Sequence, residues 1–194
     1  EGFKDMPRNV EFMTGSTSVS RYARASELLT GSVTVARAID IMRDRNLPGG
    51  AFAGKGHRSS LNADIATHGV ALDLAAGTFY AGTTPHLAGK FVGFDVNDFS
   101  RELPGVAADP ILPLSDQPLK DGRLALRRGD AAAALKLAHE ATTLNPGFYE
   151  NSALEGRALL ALGKTNEVRQ AFAAALAGKP AFAKEREELE HAAR

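Results

Sequence analysis

Apolar and polar positions change rhythm three times along the chain. Residues 1–16 show little periodicity. From Thr17 the stretch TSVSRYARASELLTG turns helical: Tyr22, Ala25, Leu28 and Leu29 recur at helical spacing, and Gly31 supplies a stop. SVTVARAIDIMRDR predicts a second helix, capped by Ser32 or Thr34, with Val35, Ala38, Ile39 and Met42 as its apolar stripe. NLPGG breaks it. From Asn62 the period drops to two. DIATHGVALDLAAGTFYAGTT predicts two strands around a turn at Ala75–Gly77. Ile65, Thr67, Gly69, Ala71 and Asp73 fall on one face of the first strand, and Ala66, His68, Val70 and Leu72 on the other. Lys90–Val96 predicts a third strand. Residues 97–116, with Pro104, Pro110 and Pro113, read as a linker with little regular structure.

After about residue 117 alanine and leucine dominate and helical periodicity returns. An internal repeat appears here: Gly122 recurs as Gly156, Gly129 as Gly163, Ala134 as Val168, Ala138 as Phe172, Ala141 as Ala175 and Pro146 as Pro180. Each pair is 34 residues apart. GRLALRRGDAAAALKLAHEATTLNP and GRALLALGKTNEVRQAFAAALAGKP resemble tetratricopeptide repeats, over about residues 117–180. The first copy carries Ala125 and Ala138 where bulky residues are usual. AFAKEREELEHAAR then reads as a terminal helix with a polar outer face, EREELE being solvated.

Composition narrows the function classes. Lys plus Arg and Asp plus Glu balance at 23 each, so no net field draws nucleic acid or an anionic membrane. The absence of cysteine removes disulfides, thiolate metal sites and a cysteine nucleophile from this sequence. No apolar run approaches the roughly 18–20 residues that span a bilayer. The chain opens at Glu1 without a signal-peptide pattern, as a processed chain or a piece of a longer one would.

Several motifs invite chemistry. Gly49, Gly54 and Lys55 fit the phosphate-loop spacing, but Gly56 stands where a magnesium-binding hydroxyl belongs, and a helix rather than a strand precedes them. GGAFAGKGHRSS therefore reads as a glycine-rich crossover loop, with Lys55 and Arg58 as solvated rim charges. His57, His68 and His86 lack the short fixed spacing of a zinc site, and His68 reads as a hydrogen-bonded core residue. No metal or cofactor is expected. No G-x-S-x-G elbow is present, and TGSTS reads as a helix entry. Arg21 and Arg24 sit at i and i+3 in the first turns of a helix. They are either surface arginines or, for one of them, a guanidinium aimed at an anionic group or at a catalytic residue whose pKa needs lowering.

SVSRYARASELL, AIDIMRDR, GHRSSLNADIATHGVALD and FYAGTTPHLAGKFVGFDV, in that order over about 80 residues, resemble the C-terminal half of an N-terminal-nucleophile hydrolase. The similar group is that of acyl-coenzyme A:6-aminopenicillanate acyltransferases, related to choloylglycine hydrolases. The resemblance implies an α+β chain. Residues 1–99 would be the C-terminal part of an αββα sandwich, two helices plus antiparallel strands. Residues 100–116 would be a linker, and 117–194 an all-α tetratricopeptide-like tail. It also implies a self-cleaving enzyme whose N-terminal cysteine attacks an amide or thioester carbonyl, with an oxyanion hole holding the intermediate. Arg21 matches the arginine of the S-x-S-R-[FY] helix start, where a guanidinium can stabilise a thiolate. Asn62 is a second candidate, as an amide near the pocket.

The sequence departs from that family in holding no cysteine. The implied nucleophile and most of the oxyanion hole would come from a missing N-terminal half or a partner chain, and this chain alone would be inactive. Sheet edges left open would drive association, including with a second copy. A non-catalytic interaction module built on the helical repeats is the other reading. Compartment and substrate stay open.

Overall fold

The structure is a computed structural model that describes residues 7–14, 16–83, 87–109 and 116–194. It is of mixed α+β class, with eight α-helices and one four-stranded antiparallel sheet among the described residues. The chain divides into two compact units. One comprises Ser20–Ala51 and Lys55–Leu114. The other comprises Glu1–Val19, Phe52–Gly54 and Ser115–Arg194.

In the first unit, α2 (Ser18–Leu28) and α3 (Val35–Met42) precede the sheet. Thr34 caps α3, its hydroxyl oxygen accepting from the Arg37 N–H at 3.3 Å, and Ile39 and Ile41 are its buried residues. α2 buries none of its residues, and Tyr22 is 77% exposed. Polar anchors therefore hold α2 in place of an apolar stripe. The sheet runs β1 (Val70–Asp73), β2 (Thr78–Gly82), β3 (Phe91–Asp95) and β4 (Asp98–Val106), each beside the next, so β1 and β4 are its edges. Asp73 accepts from the N–H groups of Ala75 and Ala76, and Gly77 takes φ +63°, closing the first hairpin.

Three expectations are corrected here. The first strand begins at Val70, not near Ile65. Upstream, the Asp64 N–H goes to Gly56 O and the Ala66 N–H to Ala63 O, so the backbone is turned there. Residues 98–106 form strand β4 in a stretch that reads as a linker. Between Phe91↔Val106 and Gly93↔Leu103 β4 carries one extra residue, a bulge that accommodates Pro104 and Gly105 on an edge strand. A Cβ on Gly105 would lie 2.1 Å from the Phe91 carbonyl oxygen, so glycine is needed there. Finally, a short helix, α1 (Pro7–Thr14), forms within the aperiodic first residues, with proline at its first position.

One face of the sheet carries Ala71, Thr78, Tyr80, Gly82, Phe91 and Gly93. Phe91 is fully buried on that face under the Arg43 guanidinium, 5.3 Å from the ring centroid. Arg43, which ends α3, is itself buried. It donates from Nε to Leu87 O at 3.0 Å and from Nη2 to Gly89 O and Ala107 O at 2.7 Å each. One side chain thus ties the helix end to the segments flanking β3 and β4.

In the second unit, α4 (Asp116–Arg127), α5 (Ala131–Leu144), α6 (Tyr149–Ala161), α7 (Thr165–Ala177) and α8 (Ala183–Ala192) pack in succession, and α4 also meets α6. Burial follows the 34-residue period. Ala134 and Val168, Ala138 and Phe172, and Ala141 and Ala175 are all buried, as are Gly122 and Gly156. A Cβ on Gly122 would lie 2.7 Å from the Leu154 side chain, and one on Gly156 2.7 Å from the Phe172 ring, so both glycines permit close helix approach. Gly129 (φ +83°) and Gly163 (φ +71°) make the equivalent turns. The buried Asn151 amide donates to Ala141 O and Asn145 O at 3.1 and 3.0 Å, satisfying carbonyls at the end of α5. Phe172→Ala should cost about 3–5 kcal/mol in urea unfolding, whereas Leu124→Ala on the exposed side of α4 should stay within roughly 0.5 kcal/mol.

Candidate functional site

The candidate site is the N-terminal part of α2 against the loop 56–64. Two residues of the helix reach that loop. Ser20 Oγ donates to Ser59 O at 3.1 Å, and Arg21 Nη1 donates to Arg58 O at 3.0 Å. The loop is rigid for reasons of its own. His57 is 1% exposed and Ser60 fully buried. His57 Nδ1 accepts from the Ser59 N–H at 3.1 Å, which leaves the neutral ring's proton on Nε2. The Ser60 N–H and Oγ both donate to His57 O, at 2.9 and 2.7 Å. Ser60 thus addresses the histidine's carbonyl, not its ring. Gly56 has φ +79°, and a Cβ there would collide with Asp64, so the loop closes only with glycine.

Asn62 is buried, and its N–H donates to Asp44 O at 3.0 Å. The structure therefore brings both sequence candidates to one loop: Arg21 holds it at Arg58, and Asn62 lies four residues further along. Asp44 is also the hub of an ion-pair network. Its carboxylate receives Arg24 Nε and Nη2 at 2.9 and 3.0 Å, the bidentate geometry that suits a guanidinium. Arg24 Nη1 reaches Glu27 at 2.9 Å, and Glu27 accepts from the Gly49 N–H. The carboxylate hydrogen bonds hold the Arg24 guanidinium charged, its pKa raised beyond the ordinary arginine value. Arg24 is thus the positioning arginine of the pair, and it leaves Arg21 as the one that reaches the loop. Asp44, Glu27 and His57 were not apparent as site residues in the sequence. Asp44 and His57 lie 20 and 33 residues from Arg24, a spacing that carries no motif, and Glu27 at i+3 reads as an ordinary helix-surface pair.

The other sequence expectations fare differently. His68 is exposed, not in the core, and its Nδ1 lies 2.6 Å from Thr67 Oγ1. Lys55 and Arg58 are half-buried and engaged with neighbours, not solvated rim charges. His86 lies outside the described residues. The loop after Gly49 lies between helix α3 and irregular chain, not between a strand and a helix, so the setting of a nucleotide cradle is missing. Among the described residues no group of three or more His, Cys, Asp or Glu could hold a metal, and no helix is long and apolar enough to cross a membrane.

Beside this loop runs an apolar groove of about 360 Å³, bordered by edge strand β1 and by α2 and α3. Ala25, Leu29, Ile41, Met42, Leu61 and Leu72 are among its walls. The sheet face carrying Leu72 also carries Val70, Phe79, Ala81, Val92 and Phe94. None of these six is buried, and Val70 and Leu72 are 56% and 57% exposed. Phe99 of β4, 61% exposed, meets Phe79 edge-on at 5.9 Å. No protein-family model, curated protein or solved structure matches this chain.

The network gives a signed pH dependence. The Glu27 carboxyl is held below its ordinary value, first by Arg24 and then by the Gly49 N–H. A carboxyl lowered on folding stabilises the fold above its unfolded pKa of about 4.5, and that contribution fades as the pH falls through the folded value. Urea unfolding should therefore find the parent more stable than Glu27→Gln at about pH 6, with the gap narrowing as the pH falls below about 4.5.

Proposed function

We propose that this chain is the C-terminal portion of an acyltransferase or amidohydrolase of the N-terminal-nucleophile class. It acts on an amide or thioester carbonyl together with a nucleophile supplied outside this sequence, which has no cysteine. The observation that carries the proposal is the six-residue apolar sheet face with none of its members buried. In an αββα sandwich that face lies against a second sheet, and the helices sit on the outside. The open edge of β1 and the groove beside it would receive strands and core side chains of the second layer.

Within that arrangement Arg21 is the supporting catalytic group. Its guanidinium, held by the Arg58 carbonyl, would lower the pKa of a thiolate nucleophile by direct charge stabilisation. Asn62 would support the same pocket through the loop. The helical unit, read as two tetratricopeptide-like repeats plus a capping helix, would dock a partner or brace the enzyme domain. The 34-residue repetition of burial also favours a second reading, in which the chain is a non-catalytic interaction module and the sheet unit is its scaffold.

The readings separate on Arg21. In an enzyme reconstituted with the nucleophile-bearing segment, Arg21→Ala should lower kcat/KM about 10²-fold while the thermal midpoint stays close to that of the parent. The 194-residue chain alone should turn over neither amide nor thioester substrates. Unchanged activity in Arg21→Ala, or turnover by the chain alone, would count against the catalytic reading.

A further inference from the structure

We propose that His57 is a proton-operated latch: in its neutral form it holds the N-terminal part of α2 on the loop 56–64, and a second ring proton releases it. Among the described residues His68, His139 and His191 are exposed, and only His57, at 1% exposure, is buried. An exposed ring takes up a proton and finds water for the new N–H. His57 has no such freedom, because its Nδ1 is the acceptor for the Ser59 N–H at 3.1 Å. An imidazolium carries a donor on each nitrogen. Acidification therefore sets Nδ1–H against the Ser59 N–H where a hydrogen bond stood, and Ser59 is itself buried.

The ring holds a turn, and the turn holds a helix. The Ser60 N–H and Oγ close the turn on His57 O, at 2.9 and 2.7 Å. Between them, residues 58 and 59 present two carbonyls to α2: Ser59 O accepts from Ser20 Oγ and Arg58 O from Arg21 Nη1. Because α2 buries none of its residues, it has no apolar stripe to keep it seated when those acceptors move. The Arg24–Asp44 pair, one turn further along, stays in place, so the release is local. Charged groups approach the loop from three sides. Lys55, Arg58 and Asp64 belong to it, with the Asp64 carboxylate lying against Gly56. Arg21 comes from α2. Asp44 comes from beyond α3: its backbone oxygen accepts from the Asn62 N–H, and its carboxylate is held by Arg24. The carboxylates favour the second ring proton and the cations oppose it, so they set the pH of release, while the Ser59 contact sets its consequence. The latch does not rest on the catalytic reading; within that reading it makes the placement of Arg21 depend on pH.

The test is NMR spectroscopy of the full chain from about pH 7.5 to about pH 4.5, the range in which histidines change charge. Long-range proton–nitrogen spectra follow the His57 ring, and hydrogen exchange follows the backbone. At the upper end the ring should be neutral with its proton on Nε2. As it gains the second proton, protection factors at Ser59, Ser60 and the first turns of α2 should fall about tenfold or more, while α6 and α7 keep theirs. His57→Asn keeps a side-chain acceptor within reach of the Ser59 N–H and does not titrate, so its turn should stay closed throughout. The parent spectra decide the matter even where His57→Asn fails to fold. A ring that stays neutral over the whole range, a ring that titrates while the turn keeps its protection, the same loss of protection in His57→Asn, or unfolding of the whole chain before the ring takes its proton would overturn the inference.

Discussion

An antiparallel sheet with apolar side chains on both faces needs cover on both, and the rest of this structure follows from how that need is met. One face is met from within. Phe91 is sealed by the Arg43 guanidinium, which in turn is satisfied by three backbone carbonyls. A buried charge is costly unless each of its donors finds an acceptor. Leu87, Gly89 and Ala107 supply acceptors for Nε and Nη2 from the two segments that flank the paired strands β3 and β4. The same contact thus ties the end of α3 to the β3–β4 side of the sheet.

The other face is not sealed in this way. Val70, Leu72, Phe79, Ala81, Val92 and Phe94 share that face; Val70 and Leu72 are exposed and the other four half-buried. α2, with no buried residue of its own, is positioned by Ser20 and Arg21, which reach the loop 56–64, and by Arg24, which pairs with Asp44. In the function proposed above, this polar-anchored helix carries the charge-stabilising side chain, Arg21.

Much of this was legible in the sequence where burial imposes a period. The Thr34 cap and the Ile39 stripe announce α3. In the helical unit the paired glycines and alanines sit where helices touch, so their 34-residue spacing survives in the chain. β4 was not legible. It is an edge strand, mostly exposed on both faces, and its bulge holds a proline and a glycine. No alternation can be written into such a strand. α1 leaves no trace for the same reason, with Val10, Phe12 and Met13 all exposed. At the site, Arg21 and Asn62 stood out by resemblance. Arg43, Asp44 and His57 did not, because a carbonyl acceptor or a loop turn has no sequence signature.

The central claim is that the open sheet face is an interface. Sedimentation velocity at low micromolar concentration tests it most directly, comparing the parent with the double variant Val70→Lys, Leu72→Lys. The account predicts a species heavier than the 20.5 kDa chain for the parent, or for the parent mixed with the nucleophile-bearing segment proposed above. It predicts collapse to the single-chain mass in the variant, with secondary structure intact. A parent that sediments as a single chain both alone and with that segment would contradict it.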